Sequence, residues 1–139
     1  MNTTILDSAK PLDQSLVTYT HVIYALHALA VVIGLTSAAT IVGTFVWSVP
    51  SIIAVVMNYA RRSDARGTIL ESHFTWQIRT FWFTVLWAVI ISAISFPLVL
   101  LLGLGILTFW LGFGVLGIWV LYRVLRGWLA LRDARPMYV

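Results

Sequence analysis

The residues best suited to chemistry lie in one polar stretch, Asn58–Trp82, which we call the polar island because the rest of the sequence is largely apolar. Glu71, Ser72 and His73 follow one another there, and an acid, a hydroxyl and an imidazole are the components of a hydrolytic triad. Adjacent residues on a helix point in different directions, so this run does not bring the three groups together. We therefore predict no enzymatic activity and no catalytic residue.

The histidines are the other residues that suggest a binding site. His21, His27 and His73 are not spaced as ligands of one metal ion, and the chain has no cysteine. We therefore predict no metal and no cofactor. His27 lies within an apolar segment, where we expect a neutral imidazole paired with Tyr24 or with the third helix. Asn58 completes this predicted buried polar set, and haem or quinone binding through His21 or His27 stays open as an alternative.

A polar stripe is predicted along the third helix, which begins within the island. At 100° per residue its members fall within an arc of about 100°. We interpret the stripe as a seam between helices, in which hydroxyl groups bond to neighbouring carbonyls. The alternative is the wall of a hydrophilic pathway. The members are His73, Gln77, Thr80, Thr84 and Ser95, with Ser92 at the edge of the arc.

Composition places these residues in a membrane protein. Of the 139 residues, 60% are hydrophobic and 10% are charged, whereas soluble domains carry roughly 25% charged residues. A membrane span needs about 20 apolar residues. We therefore predict an all-α, integral membrane bundle of four transmembrane helices, arranged as two hairpins joined by a basic cytoplasmic segment. The transmembrane domain is expected at residues 19–126, with spans near 18–36, 40–60, 77–101 and 106–126, between a short tail at 1–18 and a basic tail at 127–139.

The break between the first two spans has two possible positions. Gly, Thr and Ser cluster at residues 34–40, and Pro50 marks a second position at residues 47–51. We prefer the first position because it gives two spans of similar length, with Pro50 as a tolerated kink. Gly103 and Gly105 mark the turn between the last two spans.

The arginines predict the orientation and the partners. They cluster in the polar island and the C-terminal tail, so the positive-inside rule places both regions and both termini in the cytoplasm. The segment 68–79 is expected to lie along the membrane face, with its arginine and histidine meeting lipid phosphates. Membrane topology and binding to anionic lipid account for the excess of arginine, so we predict no nucleic-acid partner. The predicted docking set, for anionic lipid headgroups and a protein partner or second copy, comprises Arg61, Arg62, Arg66, Arg79, Arg123, Arg126, Arg132 and Arg135.

The island and the tail together resemble a known family. The island reads NY-x-RR-x-D-x-RG-x-x-x-ESHF-x-WQIRTFW, and the tail reads YR-x-x-RG-x-x-x-L-x-D-x-RPMY. This pattern resembles small bacterial inner-membrane proteins of unknown function, is similar to the MamF/MmsF magnetosome membrane proteins, and more distantly resembles the twenty-kilodalton subunit of the chloroplast import translocon. The resembling positions are Asn58, Asp64, Gly67, Glu71, His73, Gln77, Arg79, Thr80, Tyr122, Arg123, Gly127 and Pro136.

The resemblance implies a helical bundle of three or four spans, in the bacterial inner membrane, without known enzymatic activity. In the magnetosome branch it implies a role in crystal growth, and in the plastid branch a role in protein import. We transfer neither role, because this chain lacks an acidic mineral-binding loop and the family offers no catalytic residues to carry over. The positions that resemble the family are candidates for shared structure.

Three functional hypotheses follow. The first is a non-enzymatic accessory or assembly subunit that works by association through its basic cytoplasmic face. The second is a transport or protein-translocation component with a polar pathway along the third helix. The third is a haem- or quinone-associated membrane subunit. The first is preferred because the polar residues most suited to recognition, those of the island and the tail, cluster at the cytoplasmic membrane interface.

Overall fold

The computed structural model describes residues 11–37 and 41–138. Within these residues the chain forms four α-helices and no strand, which confirms the predicted all-helical bundle. The helices are α1 (Gln14–Ser37), α2 (Ile41–Ala60), α3 (Ile69–Leu102) and α4 (Leu104–Arg132).

The first helix begins earlier than the predicted span near 18–36 because Asp13 caps it. The Asp13 carboxylate accepts the Ser15 backbone N–H at 2.9 Å, and its backbone carbonyl accepts from Leu16 and Val17. An acidic side chain at this position satisfies amide groups that the helix itself leaves unpaired. The described part of α1 ends at Ser37 and α2 begins at Ile41, so the predicted break at 34–40 lies partly outside the described residues; Pro50 lies inside α2.

The third helix also begins before its predicted span at 77. Thr68 is its N-cap, with its hydroxyl accepting the Leu70 N–H at 3.2 Å, and Glu71 reaches back to the Gly67 N–H at 3.0 Å. These two bonds resemble a capping box, whose sequence signature is Thr-x-x-Glu. The 34 residues of α3 extend about 50 Å at 1.5 Å per residue, beyond a hydrocarbon core of about 30 Å.

Gly103 makes the turn between α3 and α4. Its φ of 72° is left-handed, and its N–H donates to the carbonyl of Val99, so one residue ends one helix and begins the next. A side chain at Gly105 would collide with the backbone oxygen of Ser95, which shows how closely the two helices approach. The fourth helix continues to Arg132, so the predicted tail at 127–139 begins as helix.

The four helices pack as two hairpins, α1 with α2 and α3 with α4, which meet mainly through α1 and α4. Three helices, α1, α3 and α4, are long and apolar enough to cross a membrane, and α2 has a shorter apolar stretch at Ser48–Ala60 within its described side chains. Large apolar side chains such as Phe96, Leu100 and Val115 are exposed on the outside. Continuous apolar surface of this kind suits lipid and not water.

Candidate functional site

The start of α1, the end of α2, the start of α3 and the end of α4 meet at one end of the bundle because the four helices alternate in direction. We call this region the basic end. It comprises the loop 61–68, the C-terminal segment 133–138 and the adjoining helix turns. Its exposed arginines are Arg62, Arg66, Arg79, Arg126, Arg132 and Arg135.

Part of this positive charge is neutralised locally. Arg61 Nε lies 2.8 Å from Asp64, and this hydrogen bond raises the pKa of Arg61. The carboxylate of Asp133 lies 2.6 Å from Arg135 Nη2 and 3.4 Å from Arg132 Nε. The hydrogen bond from Arg135 holds the pKa of Asp133 below its usual range. Among the described residues, by contrast, no ion pair is made by Arg62, Arg66, Arg79, Arg123 or Arg126. The exposed members of this set, Arg62, Arg66, Arg79 and Arg126, carry uncompensated positive charge at the surface.

Arg123 differs from the rest of the predicted docking set. Its guanidinium lies 3.7 Å from the Trp76 ring centre, and its Nε donates to the Thr80 hydroxyl at 2.8 Å. The Trp76 indole N–H donates in return to the Arg123 carbonyl at 3.1 Å. Arg123 is half-buried, and a planar cation over an aromatic ring stabilises the α3–α4 contact, so this member of the predicted docking set has a structural role that the prediction did not include.

A buried imidazole joins three parts of the basic end. His73 is fully buried, with its Nε2 2.8 Å from the carbonyl of Arg135 and its Nδ1 2.9 Å from the Tyr24 hydroxyl. A carbonyl only accepts hydrogen bonds, so Nε2 carries the proton and Nδ1 of the neutral ring accepts from Tyr24. The prediction that this histidine meets lipid phosphates is wrong, because α3 starts early and turns His73 inward.

The C-terminal segment folds back against the first turn of α3. The Met137 N–H donates to the Ser72 hydroxyl at 2.9 Å, and the Met137 side chain is buried. Together with the bond from His73 to Arg135, this contact fixes the tail at two points. The arginines of the loop and the tail consequently share one surface. The sequence offered no specific signal for Ser72 or Met137 as contact residues.

The histidines of α1 have different environments. His21 Nδ1 accepts the Trp128 indole N–H at 3.0 Å, a contact from α1 to α4. His27 is buried, and its Nε2 has no hydrogen-bond partner among the described residues. Of the two partners predicted for His27, Tyr24 bonds His73 instead, and no described residue of the third helix bonds Nε2 of His27. Gly127 permits the bond from Tyr24 to His73, since a Cβ there would lie 2.5 Å from the Tyr24 hydroxyl.

Two buried amides also lack partners. Asn58 is fully buried and Gln77 nearly so, and both side-chain amide atoms of each are unpaired within the described part of the chain. Burying an amide without a partner costs roughly 1–3 kcal/mol. The predicted burial of Asn58 is confirmed, and the two amides add unused hydrogen-bonding capacity to the basic end.

The predicted polar stripe of α3 has three separate environments. His73 and Gln77 lie in the packed basic end. The hydroxyls of Thr80 and Thr84 donate to carbonyls of their own helix at 2.8 and 2.7 Å, so the expected bonds to carbonyls of a neighbouring helix are wrong for both. The Thr80 hydroxyl does accept a bond across the seam, from Nε of Arg123. At the opposite end, the Thr108 hydroxyl donates to that of Ser95 at 3.2 Å, which does link α3 to α4. Ser92, at the edge of the stripe, is exposed.

The middle of the stripe lines a cavity of about 480 Å³ between the helices. His27 contributes from α1, Ser51 from α2, and Thr80 and Thr84 from α3. Most of the remaining surface is apolar. The other described lining residues are Val31, Ser48, Ile52, Phe81, Val85, Ala88, Val89, Ser92, Phe113 and Val120.

Within the described ranges, no group of three or more His, Asp or Glu side chains is arranged to hold a metal ion. The fold, the basic end and the cavity define a class: a helical membrane-protein bundle with an electropositive end and a small cavity between its helices. No protein-family model, curated protein or solved structure matches the chain.

Proposed function

We propose that this chain is a non-enzymatic integral protein of the bacterial inner membrane, which acts as an accessory or assembly subunit and binds an acidic protein surface through its basic end. The observation that carries the proposal is the set of exposed arginines without an ion pair, Arg62, Arg66, Arg79 and Arg126, beside a tail that is fixed in place. The basic end faces the cytoplasm under this proposal, as the positive-inside rule expects.

The backbone that presents Arg62 and Arg66 supports a protein partner. Successive turns hold the loop through N–H bonds from Asp64 to Arg61, from Arg66 to Ser63 and from Thr68 to Ala65, at 3.1 to 3.3 Å. Ala65 is fully buried and anchors the loop to the bundle. A prearranged set of cations loses little conformational freedom on binding a shaped acidic surface. Mobile lipid headgroups require no such arrangement, although they also contact arginines near the membrane.

The test is site-specific photo-crosslinking in native membranes, with the probe placed at Arg62, at Arg132 or, as the control, at Leu100. We expect probes at Arg62 and Arg132 to capture the same protein, which also co-purifies in mild detergent, and the probe at Leu100 to capture lipid. Replacing Arg62 and Arg66 by glutamate should abolish capture from Arg132, whereas lysine at both positions should retain it. Capture of lipid alone at all three positions would contradict the proposal.

A transport or protein-translocation role is the second candidate, because the polar residues Thr84 and Ser92 are among those that line the cavity. It predicts that reconstituted protein makes liposomes permeable to a substrate or ion, and that Thr84→Leu reduces this flux. Liposomes that stay tight would exclude this candidate. The resemblance to the magnetosome and import proteins likewise stays a prediction.

A further inference from the structure

The cavity beside His27 lies inside the span region of the bundle. His27 is roughly 20 Å along α1 from its first residue, at 1.5 Å per residue. All four helices contribute to the lining, for example through Val31, Ser51, Thr84 and Phe113. A volume of about 480 Å³ lies within the range of roughly 300–1,000 Å³ typical of small-molecule sites.

The polar groups of the lining define what it binds. Nε2 of His27 has no partner among the described residues, in a side chain that is 5% exposed. The hydroxyl protons of Thr80 and Thr84 are used within α3, so these two groups can act only as acceptors toward a further partner, and the Thr80 oxygen already accepts from Arg123. A neutral imidazole nitrogen either donates to a carbonyl or accepts from a hydroxyl. A ligand oxygen of either kind would therefore satisfy His27.

The lining also restricts the charge and the origin of the ligand. None of the described lining residues is Asp, Glu, Lys or Arg. An ion placed there would lose its hydration without gaining a counter-charge, which is strongly unfavourable. The largely apolar walls suit the body of a molecule that reaches the site from the lipid phase.

We propose that this cavity binds the head of a neutral, membrane-soluble amphiphile, held by a hydrogen bond between its carbonyl or hydroxyl oxygen and Nε2 of His27. A quinone or quinol ring and the glycerol region of an uncharged lipid both present this chemistry. The cavity is separate from the basic end, so ligand binding here can be tested independently of the proposed role as an accessory subunit.

The test measures binding to the full-length protein in dodecylmaltoside, with decylubiquinone and dioleoylglycerol as the two probes. Native mass spectrometry gives the stoichiometry, and the concentration-dependent thermal shift gives the affinity, because a ligand that binds only the folded state raises the unfolding temperature. Two variants report on the site: His27→Leu removes the hydrogen-bonding group, and Ala88→Phe fills the cavity from α3. Leu100→Phe adds the same ring on the exposed face as a control.

We expect one saturable molecule of at least one probe per chain. His27→Leu should weaken binding roughly tenfold, Ala88→Phe should abolish it, and Leu100→Phe should leave it unchanged. Binding of decylubiquinone alone identifies a quinone site, and binding of dioleoylglycerol alone identifies a lipid site. The proposal is overturned if neither probe saturates, or if Ala88→Phe binds as the unmodified chain does. The second variant keeps the test decisive even if His27→Leu fails to fold.

Discussion

The Tyr24 hydroxyl lies 2.9 Å from Nδ1 of His73 in a buried contact between residues that are 49 positions apart. This bond joins α1 to α3, and the other nitrogen of the same ring bonds the carbonyl of Arg135 in the tail. One imidazole therefore ties together the first hairpin, the second hairpin and the C-terminal segment. The exposed arginines of the basic end depend on this buried connection for their relative positions.

Removing the Tyr24 hydroxyl tests that connection directly. In Tyr24→Phe, the ring of His73 keeps its place but Nδ1 loses its donor. We expect the free energy of unfolding in detergent to fall by about 1 kcal/mol, the scale of buried hydrogen bonds in membrane bundles. Tyr59→Phe is the matched control, because its hydroxyl accepts from Trp82 at an exposed position. An equal loss in both variants would contradict a special role for the buried pair.

The close approach of Gly127 to Tyr24 predicts opposite effects for two glycine-to-alanine changes in α4. A Cβ at Gly127 would meet the Tyr24 hydroxyl at 2.5 Å, whereas a Cβ at Gly114 meets nothing within 4 Å. Overpacking costs about 1–3 kcal/mol, and alanine in place of glycine gains up to about 1 kcal/mol in a helix. We therefore expect Gly127→Ala to lower the unfolding temperature and Gly114→Ala to leave it unchanged or raise it. The reverse order would show that Tyr24 does not need this space.

The stacking of Arg123 predicts that lysine cannot replace it. Lysine keeps the positive charge but loses the planar contact with Trp76 and the fixed bond from Nε to Thr80. We expect Arg123→Lys to reduce the free energy of unfolding by about 1–2 kcal/mol. Arg126→Lys should change it little, because Arg126 is exposed. If the two variants were equally stable, Arg123 would belong with the surface arginines after all.

The docking of the tail predicts unequal effects at two neighbouring positions. The Met137 side chain is 7% exposed, whereas that of Tyr138 is 85% exposed. We expect Met137→Ser to release the tail, so that amide hydrogen exchange at Ala134, Arg135 and residue 137 becomes faster by at least tenfold. Tyr138→Ser should leave these rates unchanged. Rapid exchange in the unmodified protein would mean that the contacts to Ser72 and His73 do not hold the tail in solution.

The positions of the helices were largely predictable because composition and apolar length are local properties of the chain. The largely apolar stretch on each side of the polar island is long enough to predict two helices, and Gly103 marks a turn on its own. The helix ends were less predictable. The caps at Asp13 and Thr68 extend α1 and α3 into polar residues that hydropathy alone assigns to loops. The Thr68-x-x-Glu71 pattern is the signal that would have placed the start of α3.

The sequence by itself determined the class of protein, the two hairpins and the clustering of arginines at one end. Hydrophobicity and charge are properties of each residue type and do not depend on tertiary contacts. Only the tertiary structure decided which polar residues share an environment. It paired Tyr24 with His73 and not with His27, and moved Arg123 from the surface set into a contact between helices. These outcomes depend on the rotation of each helix and on a glycine at the crossing point. Such relations join residues far apart in the chain, and no local pattern contains them.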